Sequence, residues 1–164
     1  MRAFGCAAVM AIVLSRPVLA APEPTTTVAD CLTAAAQTYR ESPAVLMILL
    51  TVEGGSLGRI SRNSNSSVDI GPMQVNSVWL PRLAGHWHAT VDATYRALRD
   101  NFCANVEAGA WILRLGLDEA RGDLWQGVAF YHSHDPARKA DYLRKVLQAA
   151  LALQARAAAR REPG

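Results

Sequence analysis

The segment SPAVLMILLTVEGG at residues 42–55 decides the fold, and the other segments are best understood in relation to it. Ser42 suits the N-cap of a helix, and Pro43 suits the first helical position, where its missing N–H costs no hydrogen bond. Residues 44–52 are all apolar except Thr51. Because a helix that is apolar on every side is normally buried on every side, the sequence predicts an enclosed central helix.

Glu53 ends this predicted helix, and Gly54 and Gly55 follow it directly. Glycine readily adopts the left-handed conformation in which many helices end. The carboxyl group therefore stands at the mouth of an apolar helix, where partial loss of water raises a carboxyl pKa. A carboxyl that stays protonated near neutral pH suits general acid catalysis, so Glu53 is the candidate catalytic residue. The alternative is a structural carboxylate in a salt bridge at the helix end.

The polar residues that come next predict a binding surface. Residues 58–67 hold two Arg, two Asn and four Ser, which indicates a surface loop. The segment DIGPMQVNS follows at residues 69–77. Gln74 and Asn76 can each donate and accept hydrogen bonds, which suits sugar hydroxyls and acetamides, and Met73 offers an apolar wall. The alternative is that Met73 belongs to the core and that the two amides bind only backbone.

The remaining segments predict one mainly helical domain. No segment of any length alternates with the period of a strand, and no internal repeat occurs. Six further helices are predicted, over residues 27–40, 77–83, 91–99, 101–115 or 105–115, 123–131, and 136 to about 161. Within them, Ser77, Thr90 and Asp135 are predicted as caps, Gly116 as a stop, and Leu124 and Trp125 as inward-facing residues.

The first residues predict export. Arg2, an apolar run at residues 7–14 and small residues ending at Ala20 form the pattern of a signal peptide. The apolar run is too short for a permanent membrane anchor, so the mature protein is predicted to lie in the periplasm. The predicted divisions are a signal peptide at 1–21, a flexible lead-in at 22–26, the main domain at 27–146 and an Ala/Arg-rich helical tail at 147–164.

Net charge and cysteine content bear on the partners, the disulfide and the metal content that the sequence predicts. Cleavage after Ala20 would leave 15 basic against 14 acidic side chains, which gives no indication of a nucleic acid partner. It would also leave Cys31 and Cys103, and two cysteines in an exported protein favour one disulfide over two buried free thiols. No His or Cys pair has the spacing of metal ligands, so no metal site is predicted.

Four features occur in a fixed order along residues 31–142. They are the helix that ends at Glu53, the polar loop, the pattern Gly-x-Met-Gln-x-Asn at 71–76 and the pattern Ala-x-Tyr at 129–131. This ordered set resembles the lysozyme-like lytic transglycosylases. The closer resemblance is to the small specialised kind that accompanies conjugation, type IV and type III secretion, and pilus systems.

The resemblance implies a fold, a substrate and further site residues. The fold would be mainly α and lysozyme-like, α+β in the lysozyme sense, with a helical domain and an irregular loop bordering a substrate cleft. The substrate would be the glycan strands of peptidoglycan, with no cofactor and with proteins of a secretion or conjugation apparatus as further partners. Met73 and Gln74 would line the cleft, and the Tyr131 hydroxyl would point at Glu53.

The reaction that the resemblance implies needs a single carboxyl group. Glu53 protonates the glycosidic oxygen and then accepts the proton of the muramyl C6 hydroxyl, which closes a 1,6-anhydro ring. Asp69, the nearest other candidate, is predicted to hold the loop in place. One alternative is a lysozyme-type hydrolase that gives reducing ends. Another is a non-catalytic scaffold that binds glycan or the apparatus, which Gly54 favours because the family usually has Ser there.

Overall fold

A computed structural model describes residues 26–161, and the predicted signal peptide at 1–21 lies outside the described residues. The described part is mainly helical, as predicted, with one small sheet. In chain order its elements are α1 (Val28–Tyr39), α2 (Pro43–Glu53), β1 (Ile60–Arg62), β2 (Val68–Ile70), β3 (Val75–Asn76), a 3-10 helix (Ser77–Trp79), α3 (Leu80–His86), α4 (Val91–Asp100), α5 (Phe102–Glu119), α6 (Leu124–His132) and α7 (Pro136–Ala159).

Helix α2 forms where it was predicted but is less enclosed. Pro43 takes its first position and Gly54 ends it with a φ of 60°, whereas the Ser42 side chain makes no capping hydrogen bond. Leu46 and Leu49 are its fully buried residues. The prediction of burial on all sides is therefore wrong. The helix buries one face against α1, α5 and α7 and leaves the other apolar side chains partly accessible.

Helix α5 carries much of the core. The Asn101 side chain caps it by accepting the Ala104 N–H, and α1, α4 and α6 pack around it. The predicted stop at Gly116 is wrong, because the helix continues to Glu119. This glycine instead allows α6 to approach: a Cβ at Gly116 would lie 2.7 Å from the Gly127 carbonyl oxygen.

The predicted disulfide joins α1 to α5. Cys31 and Cys103 are bonded; their Cα atoms lie 4.9 Å apart, and the two residues are 72 positions apart in sequence. Helix α1 begins in a capping box, in which Thr27 and Asp30 each accept a backbone N–H from the other. The disulfide therefore fixes a well-started first helix to the central one.

A small antiparallel sheet occupies the region that the sequence pattern predicted as a surface loop. Strand β2 is central and pairs with β1 and β3. Its Asp69 lies opposite Ser61 in β1 and opposite Asn76 in β3. The strands are only three, three and two residues long, which is too short for an alternating pattern to show in the sequence.

The end of β3 is capped differently from the prediction. Asn76, rather than Ser77, caps the 3-10 helix by accepting the Val78 N–H. The Ser77 hydroxyl instead accepts the N–H of Val68 at the start of β2, at 3.0 Å. The two side chains together fix the sheet to the helical segment that follows it.

Helices α6 and α7 pack against each other as a helical hairpin. In α6 the inward face consists of Gly127, Val128 and Ala129. Leu124 and Trp125 are 46% and 51% exposed, so the prediction that they face inwards is wrong.

Helix α7 begins with the predicted Asp135 cap, whose side chain accepts the Arg138 N–H. Its fully buried residues are Tyr142 and Val146, although the helix continues to Ala159. Within residues 26–161, none of the helices has the length and apolar character needed to cross a membrane.

Candidate active site

A cleft of about 600 Å³ opens between the sheet and the α6–α7 hairpin. Its lining is largely polar, in contrast to the core behind it. The lining includes Glu53 at the end of α2, Asp69 and Asn76 from the sheet, Tyr131 from α6 and Tyr142 from α7. The predicted catalytic carboxyl therefore lies in a cleft large enough for part of a saccharide chain.

The end of α2 is held tightly against the turn between β2 and β3. Gly54 takes the left-handed conformation, and the Gly55 N–H donates to the Pro72 carbonyl oxygen at 3.2 Å. A Cβ at Gly55 would overlap the Gly71 carbonyl oxygen and lie 2.6 Å from Gln74 Nε2. The glycine pair therefore allows a close approach that sets the position of the Glu53 carboxyl.

Glu53 has the electrostatic setting of a general acid. Burial is the largest of the effects that raise the pKa of Glu53 to about 7, and the negative charge of Asp69 acts in the same direction. A hydrogen bond from the Tyr142 hydroxyl to Glu53 Oε1, at 2.6 Å, acts in the opposite direction, as does the charge of Lys145. With a pKa of about 7, a large fraction of Glu53 is protonated near neutral pH, and its base form is also accessible.

Asp69 is anchored by amides rather than by cations. Asn63 Nδ2 donates to Asp69 Oδ2 at 3.0 Å, and Asn76 Nδ2 donates to Asp69 Oδ1 at 2.7 Å. Ser67 accepts a hydrogen bond from both of these asparagines. Asp69 thus ties the loop to the sheet, and it also places a negative charge in the same cleft as Glu53.

Gln74 and Asn76 both line the cleft, but their amides already have protein partners. Gln74 Nε2 donates to the Gly71 carbonyl at 2.8 Å, and Gln74 Oε1 accepts the Ser61 hydroxyl at 2.9 Å. Asn76 bonds Asp69 and caps the 3-10 helix. These contacts hold the shape of the cleft wall, and a direct contact of either amide with substrate stays a prediction.

Met73 lies in the core, so the prediction that it lines the cleft is wrong. Its exposed fraction is 0%. Its side chain packs on α5 at Gly109, where a Cβ would lie 2.7 Å from Met73 Cε. Its N–H donates to Asn105 Oδ1 at 2.7 Å, and Asn105 is itself fully buried. Met73 therefore fastens the β2–β3 turn to α5.

The tyrosine that contacts the carboxyl is not the one predicted. Tyr131 lines the cleft, but its hydroxyl donates to the Met73 carbonyl oxygen at 2.8 Å. The contact expected of Tyr131 is made by Tyr142 of α7. Tyr142 also supplies a hydroxyl partner for Glu53, which the chain lacks at Gly54. Tyr131 therefore supports the β2–β3 turn, and Tyr142 holds the Glu53 carboxyl.

Residues of α7 form the part of the cleft that the sequence analysis missed. Arg138, Tyr142 and Lys145 are spaced four and three residues apart and share one helical face. All three line the cleft. His132 stacks on Tyr142 with ring centroids 4.4 Å apart. The spacing of these residues on a helix that begins at Asp135 indicates that they share a face. Spacing alone does not show which part of the molecule that face contacts.

This arrangement can perform acid–base chemistry on a polar, extended ligand. Glu53 can give a proton and take one back, and Tyr142 can stabilise its charged form by hydrogen bonding. Within residues 26–161, no cluster of three or more His, Cys, Asp or Glu side chains could hold a metal ion.

Comparison with known proteins points in the same direction. Residues 30–147 match the family model described as transglycosylase SLT domain, and this span is well over half of the 164 residues. The match contains Glu53, the sheet, both cleft tyrosines and the disulfide. A search of curated proteins found no match.

Proposed function

Since the chain belongs to the transglycosylase SLT domain family, a lysozyme-like family of peptidoglycan-acting enzymes, we propose that it is a lytic transglycosylase with Glu53 as its acid and base. The bond cleaved is the β-1,4 link from N-acetylmuramic acid to N-acetylglucosamine. The product carries a 1,6-anhydro-muramyl end. The observation that carries the proposal is the position of Glu53, whose partly buried carboxyl group lies in a polar cleft and accepts a hydrogen bond from Tyr142. Burial in this position raises its pKa to about 7.

The mechanism uses one carboxyl group twice. Protonated Glu53 donates its proton to the glycosidic oxygen as the bond to the muramyl C1 breaks. The resulting carboxylate, held by the Tyr142 hydroxyl, then accepts the proton of the muramyl C6 hydroxyl. The C6 oxygen bonds to C1, the ring closes, and Glu53 returns to its starting state. No water is consumed, and the proton that Glu53 donates in the first step is replaced in the second step of the same turnover.

A lysozyme-type hydrolase is the second candidate, and Asp69 is the observation that favours it. Enzymes that hydrolyse glycosides usually employ two carboxyl groups with separated pKa values. Asp69 lies in the cleft with Glu53 and is held in place by hydrogen bonds from two asparagine amides. Hydrolysis would leave a reducing muramyl end in place of the anhydro ring.

The cellular role follows from the resemblance and the predicted signal peptide. An exported enzyme in the periplasm would open the glycan mesh locally, so that a secretion or conjugation apparatus can pass. Support for this role comes from the ordered motifs that resemble those of the small specialised enzymes. Apparatus proteins are therefore proposed as partners alongside the glycan strands.

Mass spectrometry of muropeptides released from purified sacculi tests the reaction. Wild-type protein is expected to release anhydro-muropeptides, and Glu53→Gln, which cannot donate the proton, is expected to release none. Reducing ends from the wild type would establish the hydrolase. Release from neither protein, with sacculus binding intact in both, would establish the non-catalytic scaffold.

A further inference from the structure

Two cations stand on either side of the tyrosine that holds Glu53. Arg138 precedes Tyr142 by four residues and Lys145 follows it by three, so all three occupy one face of α7. This face lines the cleft, and the Tyr142 hydroxyl lies 2.6 Å from Glu53 Oε1. Arg138 and Lys145 are therefore exposed side chains that line the cleft beside the candidate reaction centre.

Neither cation is neutralised within residues 26–161. Arg144, on another face of α7, forms an ion pair with Asp141. Arg138 and Lys145 form no ion pair with any described residue. Asp69, the other carboxylate in the cleft, is bonded to two asparagine amides instead.

In the free enzyme, the charge of Lys145 acts against the general acid. The positive charge of Lys145 lowers the pKa of Glu53, which makes the protonated acid less abundant near neutral pH. Burial lowers the pKa of His132, and the positive charges of Lys145 and Arg138 lower it further. A cation beside a general acid favours the carboxylate form of that acid. When an anionic group of the substrate binds the cation, the positive charge is neutralised and this effect is removed.

We propose that Arg138 and Lys145 form a carboxylate-binding site that recognises an acidic group attached to muramic acid. This inference rests on the proposed function, since it names the feature of peptidoglycan that the cleft reads. Muramic acid carries a lactyl carboxylate when the strand lacks peptide. When a stem peptide is attached, the lactyl group is an amide, and the peptide supplies free carboxylates. A uniform N-acetylglucosamine polymer has the same glycosidic links and no carboxylate.

Binding measurements with three glycans test the proposal. The protein carries Glu53→Gln so that nothing is cleaved, and the ligands are an N-acetylglucosamine hexamer, strands stripped of peptide by an amidase, and strands with their stem peptides. The test variant is Arg138→Gln with Lys145→Gln. The matched control is Arg144→Gln with Arg156→Gln, which removes two charges from the same helix away from the cleft.

The test variant is expected to bind at least one of the two acidic strands roughly tenfold more weakly, at about two- to fivefold for each cation. Its affinity for the uncharged hexamer should match that of the control. Weaker binding to the stripped strands identifies the lactyl carboxylate, and weaker binding to the peptide-bearing strands alone identifies the stem.

An equal loss with the test and control variants would overturn the proposal, as would an equal loss on the uncharged hexamer. The proposed function fails separately, if wild-type protein releases no anhydro-muropeptides while carboxylate-dependent binding persists.

Discussion

Glu53 has two neighbours that move its pKa in opposite directions. The Tyr142 hydrogen bond favours the charged carboxylate, and the negative charge of Asp69 disfavours it. Burial has the largest effect, and with all of these effects together the pKa of Glu53 is about 7. A general acid must be protonated, so activity is expected to fall as pH rises through about 7.

Replacing each neighbour should move this alkaline limb in a predictable direction. Tyr142→Phe removes the bond that stabilises the carboxylate, so the pKa of Glu53 rises and the limb moves to higher pH. Asp69→Asn removes the negative charge, so the limb moves to lower pH. The measurement is kcat/KM for sacculus digestion from about pH 5 to about pH 9. Shifts of the same sign in both variants would contradict this account of the site.

The same carboxyl should cost the protein stability at neutral pH. Its pKa is about 7 in the folded protein against an ordinary value of 4.5. Since the folded state favours the protonated form, Glu53 lowers the free energy of unfolding as pH rises from about 4.5 through about 7. Glu53→Gln avoids this loss.

The Glu53→Gln variant is therefore expected to be more stable than wild type above pH 7 by roughly 1–3 kcal/mol, and equally stable near pH 4. Urea unfolding at both pH values measures the difference. An advantage of equal size at the two pH values would show that packing, and not ionisation, is responsible.

At the scale of elements, the sequence patterns that predicted the structure correctly were local ones. Thr90 and Asp135 were recognisable caps because a side chain that bonds the N–H three residues later is a local event. The sheet was missed because its strands pair across turns and are too short to carry a period. Glu53 was predictable from its place at the end of an apolar helix. Tyr142 was not, since its contact joins residues 89 apart.

The junction of α2 with the β2–β3 turn gives a prediction for an element. Gly55→Ala would force a methyl group against the Gly71 carbonyl and the Gln74 amide. We expect a loss of about 2–3 kcal/mol in the free energy of unfolding, because backbone atoms cannot move aside cheaply. Activity should fall more than stability accounts for, since the same displacement shifts the Glu53 carboxyl.

Gly85→Ala is the matched control for this change. Gly85 lies in α3 with open space around the position of its Cβ. Alanine there should leave stability unchanged or raise it by up to about 1 kcal/mol. Chemical unfolding and the digestion rate of sacculi distinguish the two variants. A Gly55→Ala protein as stable and active as Gly85→Ala would contradict the proposed close approach.

At the scale of the whole molecule, the disulfide and the cleft involve largely different elements. The disulfide joins α1 to α5, whereas most residues that line the cleft come from α2, the sheet, α6 and α7. Helix α5 separates the two regions and packs on both α1 and α6. Stability and catalysis should therefore respond differently to loss of the disulfide.

Replacing Cys31 and Cys103 with Ser is expected to lower the free energy of unfolding by about 4 kcal/mol, because the bond closes a loop of 72 residues in the unfolded chain. At temperatures where the variant remains folded, its kcat on sacculi should stay within about twofold of wild type, since the contacts of Glu53 and Tyr142 are untouched. Urea unfolding and initial rates, measured on the same preparation, test both parts. A large fall in kcat in a variant shown to be folded would mean that the α1–α5 junction positions the cleft, and the separation of the two regions would then be wrong.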